Sequence, residues 1–551
     1  PTIKPSKQDT QKDPTISIDG KTALLGDKVY YRVNIDASRL TDTAYKVWRL
    51  GMVDDYDQEY LTLDAKHVEI LDETGRDRTG EFNIQDKDGV LYAFAKTVDT
   101  QIPATGETVP GDPQPDDLKA YSEKSDKDYD PLKDPSIDQS LLGHTYQVVM
   151  PMTVTKVKDG HTVENTATQV TNDKRDKTNT VTNPLKEINP TKDVTVKVGG
   201  DSIDGKSVYL NHTFLYRLDS SILPPDRAYQ TVTDWGGTDQ LNTEYDQYLG
   251  NWAVYASRDL YRDGQMLAAK GEKIAGSGFD SSKFGGNLFT VDADENGKVT
   301  ADATQAYLDL VSADNEHEAG WVLYLQCKRI AVADEVPNTW TETINGQPRE
   351  SNKVVTKTPD MTPSIHLEKV DTPTLKQDGQ EQADRDDSKQ ALKMDADNIG
   401  ITFIITNTSK TDPATGDGAW FKASDLNLDD STIVGDAHVD MDSLTYPADW
   451  DTLVLKPGES VSVTGTLKGV KEGETHTDRA IVTGTPLVEC APSNGDPFND
   501  KTDGGEDTDP EYSTGDVTEI DGKQLCADTQ TASNTDDWNG YRAKPLASTG
   551  T

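Results

Sequence analysis

Long apolar runs are missing from this chain: no stretch approaches the roughly 20 residues that a membrane-spanning helix needs. No basic segment followed by an apolar one opens it, so no signal peptide is read and a mature segment is expected. Cysteine is scarce too, with three in 551 residues, which excludes a disulfide scaffold. Positive charge is outweighed: 55 Lys and Arg stand against 97 Asp and Glu, a net charge of -42. A field of that sign repels phosphate backbones and anionic lipid, excluding nucleic acid as a partner and suiting a soluble exterior protein. The eight histidines are scattered, without a His-Glu-x-x-His or Gly-x-Ser-x-Gly element, so no enzyme acting on an external substrate is read. Helical periodicity is rare, residues 303–310 being the best short candidate.

What remains is a series of short alternating apolar runs, such as Val29-Tyr30-Tyr31-Arg32-Val33 and Ile401-Thr402-Phe403-Ile404-Ile405. Gly, Asp, Asn and Pro separate them, which is the pattern of β-sandwich strands, and the fold class is all-β. The length calls for three or four domains. A repeat organises them. Ile18-Asp19-Gly20-Lys21 returns as Ile203-Asp204-Gly205-Lys206, 185 residues later. The same offset carries Tyr31-Arg32-Val33 onto Tyr216-Arg217-Leu218 and Pro5-Ser6-Lys7 onto Pro190-Thr191-Lys192. The ends match as well, Thr178-Asn179-Thr180-Val181 with Ser351-Asn352-Lys353-Val354. Residues 1–187 and 188–359 are therefore two homologous domains, and residues 360–551 form a third, immunoglobulin-like one.

The third domain's strand pattern closes at Asp478 to Pro486, and residues 487–545 read as an acidic loop or tail. Cys490 and Cys526 can pair there, whereas Cys327 sits in an apolar strand and reads as a buried thiol. A second irregular stretch, residues 100–140, interrupts the first domain and is either disordered or a binding surface. Asp292-Ala293-Asp294-Glu295-Asn296-Gly297 imitates a calcium loop, but Ala303 stands where a bidentate Glu belongs. An Asn-Gly hairpin turn is the better reading.

Each domain begins with a lysine in a strand context, Lys7, Lys192 and Lys369, and ends near an amide or carboxyl residue, Asn165, Asn338 and Asp478. Each also has an acid in an early apolar setting, read as Asp55, Asp234 and Asp430. An intramolecular isopeptide bond needs these three parts. A desolvated lysine loses its proton and becomes a nucleophile, and a carboxylic acid kept neutral by burial donates to the amide oxygen and shuttles protons. All three residue types are common on surfaces, so spacing alone does not decide. The repeated register is what favours the bond in the first two domains; Asp478 would release water instead of ammonia.

The first two domains resemble the second and third C-terminal domains of the streptococcal antigen I/II adhesins. The resemblance rests on Ile18-Asp19-Gly20-Lys21, Val53-Asp54-Asp55-Tyr56 and Pro151-Met152-Thr153-Val154. In the second domain it rests on Asn189-Pro190-Thr191-Lys192-Asp193-Val194 and Tyr324-Leu325-Gln326-Cys327-Lys328-Arg329, followed by Asn338-Thr339-Trp340. It implies DE-variant immunoglobulin-like sandwiches stacked in an elongated array, each with a Lys–Asn bond, Lys7 to Asn165 and Lys192 to Asn338. It also implies that acidic loops can hold structural calcium, with ligands unassigned and no cofactor required. Thr233 replaces the first member of the family's Asp-Asp pair, which argues for Asp55 and Asp234 as the acids. The third domain resembles actinobacterial surface modules. Leu546-Ala547-Ser548-Thr549-Gly550 resembles the Leu-Ala-x-Thr-Gly sortase signal, implying sortase and a peptidoglycan precursor as partners and Thr549 as the wall-bonded end. The expectation is a monomeric adhesin stalk, anchored in a Gram-positive wall and stapled by its own side chains. A pilus shaft subunit, or stalk domains that bind a host glycoprotein or bacterial ligand, are the alternatives.

Overall fold

A computed structural model of the chain describes residues 2–101, 108–109, 111–372, 384–498 and 517–546. Almost all of its regular structure is strand, and each sheet draws its strands from one of three successive blocks of sequence.

In the first block, β1 (Ser6–Thr10) lies at the edge of a five-stranded antiparallel sheet. It pairs with β2 (Lys28–Asp36), and β2 pairs with a long strand, Thr145–Val154. A second five-stranded sheet centres on β3 (Leu50–Asp55). The late strand β4 (Thr162–Asn165) leads, after one residue, into β5 (Ala167–Thr171), which pairs with β3. Alternation on β2 turns Val29, Tyr31, Val33 and Ile35 inward, where they meet Leu50, Met52 and Leu91 of the facing sheet. That is the period-2 pattern legible in the sequence.

The second block repeats this plan. Strand β6 (Thr191–Thr195) pairs with β7 (Thr213–Asp219), and the opposed sheet holds β8 (Trp235–Gln240). The late strand β9 (Ala333–Asn338) runs into β10 (Thr341–Ile344), the partner of β8. Trp235, Trp321 and Trp340 fill the core. A helix, Gln305–Ala313, stands slightly later than the helix read at 303–310 and buries Tyr307, Leu308 and Val311. The strands Phe289–Ala293 and Lys298–Ala303 form the expected hairpin, and the Asp294 carboxylate accepts from the backbone of Asn296 and Lys298 within the turn.

In the third block β11 (Ile365–Asp371) pairs with Asn398–Asn407. The opposed sheet contains β12 (Asn427–Val434), β13 (Thr475–Gly484) and β14 (Ala532–Tyr541). This corrects the reading of residues 487–545 as tail: β14 pairs with β13 along its whole length and buries Trp538 in the core. Its alternation is filled by Asn, Asp and Thr, so composition concealed it. Cys490 and Cys526 are joined by a disulfide, and Cys327 is a buried free thiol.

The irregular stretch in the first domain is likewise packed over its described part. Leu118 and Tyr121 of a short helix cover Tyr92, Phe94 and Val170, and Trp48 stacks on Tyr129. The blocks also grip one another. Ala228 enters the first core, Tyr229 donates to Lys28 O at 2.8 Å, and Arg349 donates to Leu25 O at 3.0 Å. Beyond the disulfide cysteine, Phe498 is fully buried against Leu215, Tyr255 and Tyr324 of the second domain, and Lys273 Nζ donates to its carbonyl at 2.9 Å.

Candidate cross-linking sites

Lys7 sits on β1 with its side chain pointing into the sandwich and wholly withdrawn from solvent. Its Nζ meets Asp54 Oδ2 at 2.5 Å and also donates to Asn165 Oδ1 on β4. The ring of Tyr31 closes the site, with its centroid 4.3 Å from the nitrogen. Burial lowers the Lys7 pKa and raises that of Asp54, each against the pull of the other's charge. Burial thus favours a neutral amine and a neutral acid.

The second domain repeats the arrangement. Lys192 on β6 contacts Asp239 of β8 and Asn338 of β9, with the Tyr216 ring 4.4 Å away. Burial again lowers the lysine and raises the aspartate. In both domains an asparagine clamps the lysine's backbone: Asn179 accepts from Lys7 N and donates to Lys7 O, both at 2.8 Å, and Asn352 does the same for Lys192. In the third domain Lys369 Nζ meets Asp430 Oδ2 at 2.7 Å and also contacts Asp478.

The structure therefore brings Lys7 to Asn165, Lys192 to Asn338, and Lys369 to Asp430 and Asp478. It does not bring Asp55 or Asp234 to a lysine. Asp55 follows Asp54 on β3, and strand alternation sends it to the exposed face. Asp234 precedes β8, half-buried, and accepts from Gly346 N at 3.3 Å. The acids in contact are Asp54 and Asp239. The repeat carried the signal that would have found them: 54 and 239 are separated by the same 185 residues as Lys7 and Lys192.

A shared register underlies the three sites. Asp54 pairs with Ala167, two residues after Asn165. Asp430 pairs with Ala480, two residues after Asp478. Thr238 pairs with Thr341, which sets Asp239 level with Trp340, two residues after Asn338. A two-residue step keeps both side chains on one face of adjacent strands, so one lysine reaches both.

Residues 5–185 match the family model described as the cell surface antigen I/II C2 terminal domain, and residues 189–359 match that of the cell surface antigen C-terminus. The first two domains match the antigen I/II family. The chain is 30% identical over 367 residues to an aggregation substance of Enterococcus faecalis, covering 65% of this chain and 24% of that protein. It therefore spans about a quarter of that relative's length. Among solved structures, it is similar to the C-terminal domain of the Streptococcus pyogenes antigen I/II-family protein AspA, with 24% identity, a TM-score of 0.48, and coverage of 64% of this chain and 99% of that one. The C-terminal domain of the Streptococcus agalactiae antigen I/II polypeptide BspA gives 20% identity, a TM-score of 0.46 and coverage of 64% and 99%.

Of the sortase-like pentapeptide, Leu546 is described and exposed; Ala547, Ser548, Thr549 and Gly550 lie outside the described residues. For cations, the carboxylates of Glu368, Asp384 and Asp386 come within 4.8 Å of one another, two of the three residues being exposed.

Proposed function

We propose that this chain is the load-bearing stalk of a wall-anchored surface adhesin, stapled internally by Lys7–Asn165 and Lys192–Asn338 isopeptide bonds. The observation that carries the reading is the buried lysine, aspartic acid and asparagine set, built twice on equivalent strands. The neutral lysine amine attacks the asparagine Cγ, the aspartic acid donates to Oδ1 and relays a proton to the departing amide nitrogen, and ammonia leaves. The reaction is self-directed and occurs once per site, so no external substrate is turned over.

Mechanics supports the same role. The first bond would join residues 158 apart in sequence, and the second residues 146 apart. Each runs from the first strand of its domain to a late strand, so an end-to-end pull would pass through the bond instead of peeling the sheet. The likeness to antigen I/II domains and to a protein named an aggregation substance supports adhesion as the task. The pentapeptide at 546–550 supports sortase attachment through Thr549.

Intact-mass measurement under denaturing conditions tests the bonds. The first two domains should be lighter than their sequence by two ammonia masses. Asp54→Ala should restore one of them and Asp55→Ala none. A full-mass wild-type protein would refute the reading.

A further inference from the structure

The third domain lacks the asparagine of the other two, yet its lysine is set between two carboxylates in the same register. Lys369, Asp430 and Asp478 have side chains closed to solvent. A fourth polar group completes the cluster. His476, also fully buried on β13, lies with Nε2 3.1 Å from Asp478 Oδ2, the oxygen that Lys369 contacts. Among the described residues its Nδ1 has no hydrogen-bond partner, and its ring faces Trp538 at 6.0 Å. The first two domains have no such histidine: the residues two before Asn165 and Asn338 are Val163 and Val336.

We propose that this cluster is a third, chemically distinct cross-linking site, in which Lys369 condenses with Asp478 by loss of water and His476 is a catalytic residue. This rests on the self-crosslinking read for the first two domains. The ammonium of Lys369 and the carboxylate of Asp478 together hold the atoms of an amide and one water. Lys369 passes a proton to Asp430, which hands it on to Asp478, and Nζ attacks Cγ as the amine. Asp430 takes a second proton from Nζ and returns it to Oδ2, which departs as water. His476 Nε2–H donates to Oδ2 until the second proton arrives, which holds the carboxyl in one orientation and draws electron density from Cγ as Nζ approaches.

The two carboxylates are differentiated for these roles. Burial, reinforced by Asp478, pushes Asp430 up to about 6, which suits a proton carrier. Burial works against the charge on Asp478 as well, but His476 and Lys369 hold its pKa below the ordinary value. His476 thus keeps Asp478 in one orientation and readies the oxygen that leaves.

Peptide mapping of the full chain by tandem mass spectrometry tests the proposal. The expected product is a branched peptide joining Lys369 to Asp478, one water lighter than its parts. Asp478→Asn should form the same bond with loss of ammonia. His476→Gln, which keeps an N–H donor, should retain the cross-link, whereas His476→Leu should slow its formation after refolding on the order of a hundredfold, the cost of a misplaced reacting group. Linear Lys369 and Asp478 peptides beside cross-linked first and second domains would overturn this proposal alone; linear peptides throughout would overturn both readings. A branch at Asp430, or an unslowed His476→Leu variant, would overturn the assigned roles.

Discussion

At the residue scale, Asp9 is the group most out of place. It lies on β1 two residues from Lys7 and is fully buried. Burial, then the nearby Asp19, raises its pKa from an ordinary 3.8 to about 7. The folded state holds this proton between those values while the unfolded chain releases it. Stability from this group is complete below the unfolded pKa and falls as pH rises to about 7, at about 1.4 kcal/mol per pH unit. The repeat suggests the control, because the 185-residue offset places Val194, itself buried, at the equivalent position. Asp9→Val should flatten the pH dependence of the first domain's unfolding and raise its midpoint at pH above about 7. Thermal melts across that range check it; an unchanged slope would show that Asp9 is not the titrating group.

At the element scale, alternation explains both what the sequence disclosed and what it hid. The apolar strands β2 and β7 announced themselves, and with them the all-β class and the site lysines. Neighbouring acids were harder. In Val53-Asp54-Asp55 the inward member is set by the pairing of β3 with β5, a non-local fact, and the local pattern offers either residue. Asp239 was hidden for another reason: β8 reads Trp-Gly-Gly-Thr-Asp-Gln, too poor in apolar residues to look like a strand. The polar strand β14 was lost in the same way. The disulfide ties down the chain leading into that late strand, since Cys490 and Cys526 lie 36 positions apart. Closing a loop of that size stabilises by about 4 kcal/mol in the chain-entropy model. Mild reduction should therefore lower the calorimetric transition of the third domain and leave the first two in place. Equal shifts in all three transitions would contradict it.

At the scale of the whole molecule, the domains are joined by contacts that no local pattern announces. Tyr229 and Ala228 couple the first domain to the second, and Phe498 couples the third to the second. Phe498→Ala empties a filled aromatic socket, a change that typically costs about 3–5 kcal/mol. The expected outcome is a broader distribution of distances between the second and third domains, read by small-angle scattering or spin labels. An unchanged distribution would assign the junction's stiffness to the Tyr209 contacts with Asp412 and Asp417 instead.

The bonds proposed at three lysines near the starts of three domains would also limit how far the chain can be drawn out. The segments closed by the proposed bonds are 158, 146 and 109 residues. At about 3.4 Å per extended residue, they would withhold on the order of 1,400 Å of contour length from any tensile force. A tether bonded in this way would not lengthen to absorb a shock; it would transmit the jolt undiminished, and the first event under rising tension would be release at the attachment instead of rupture of the stalk.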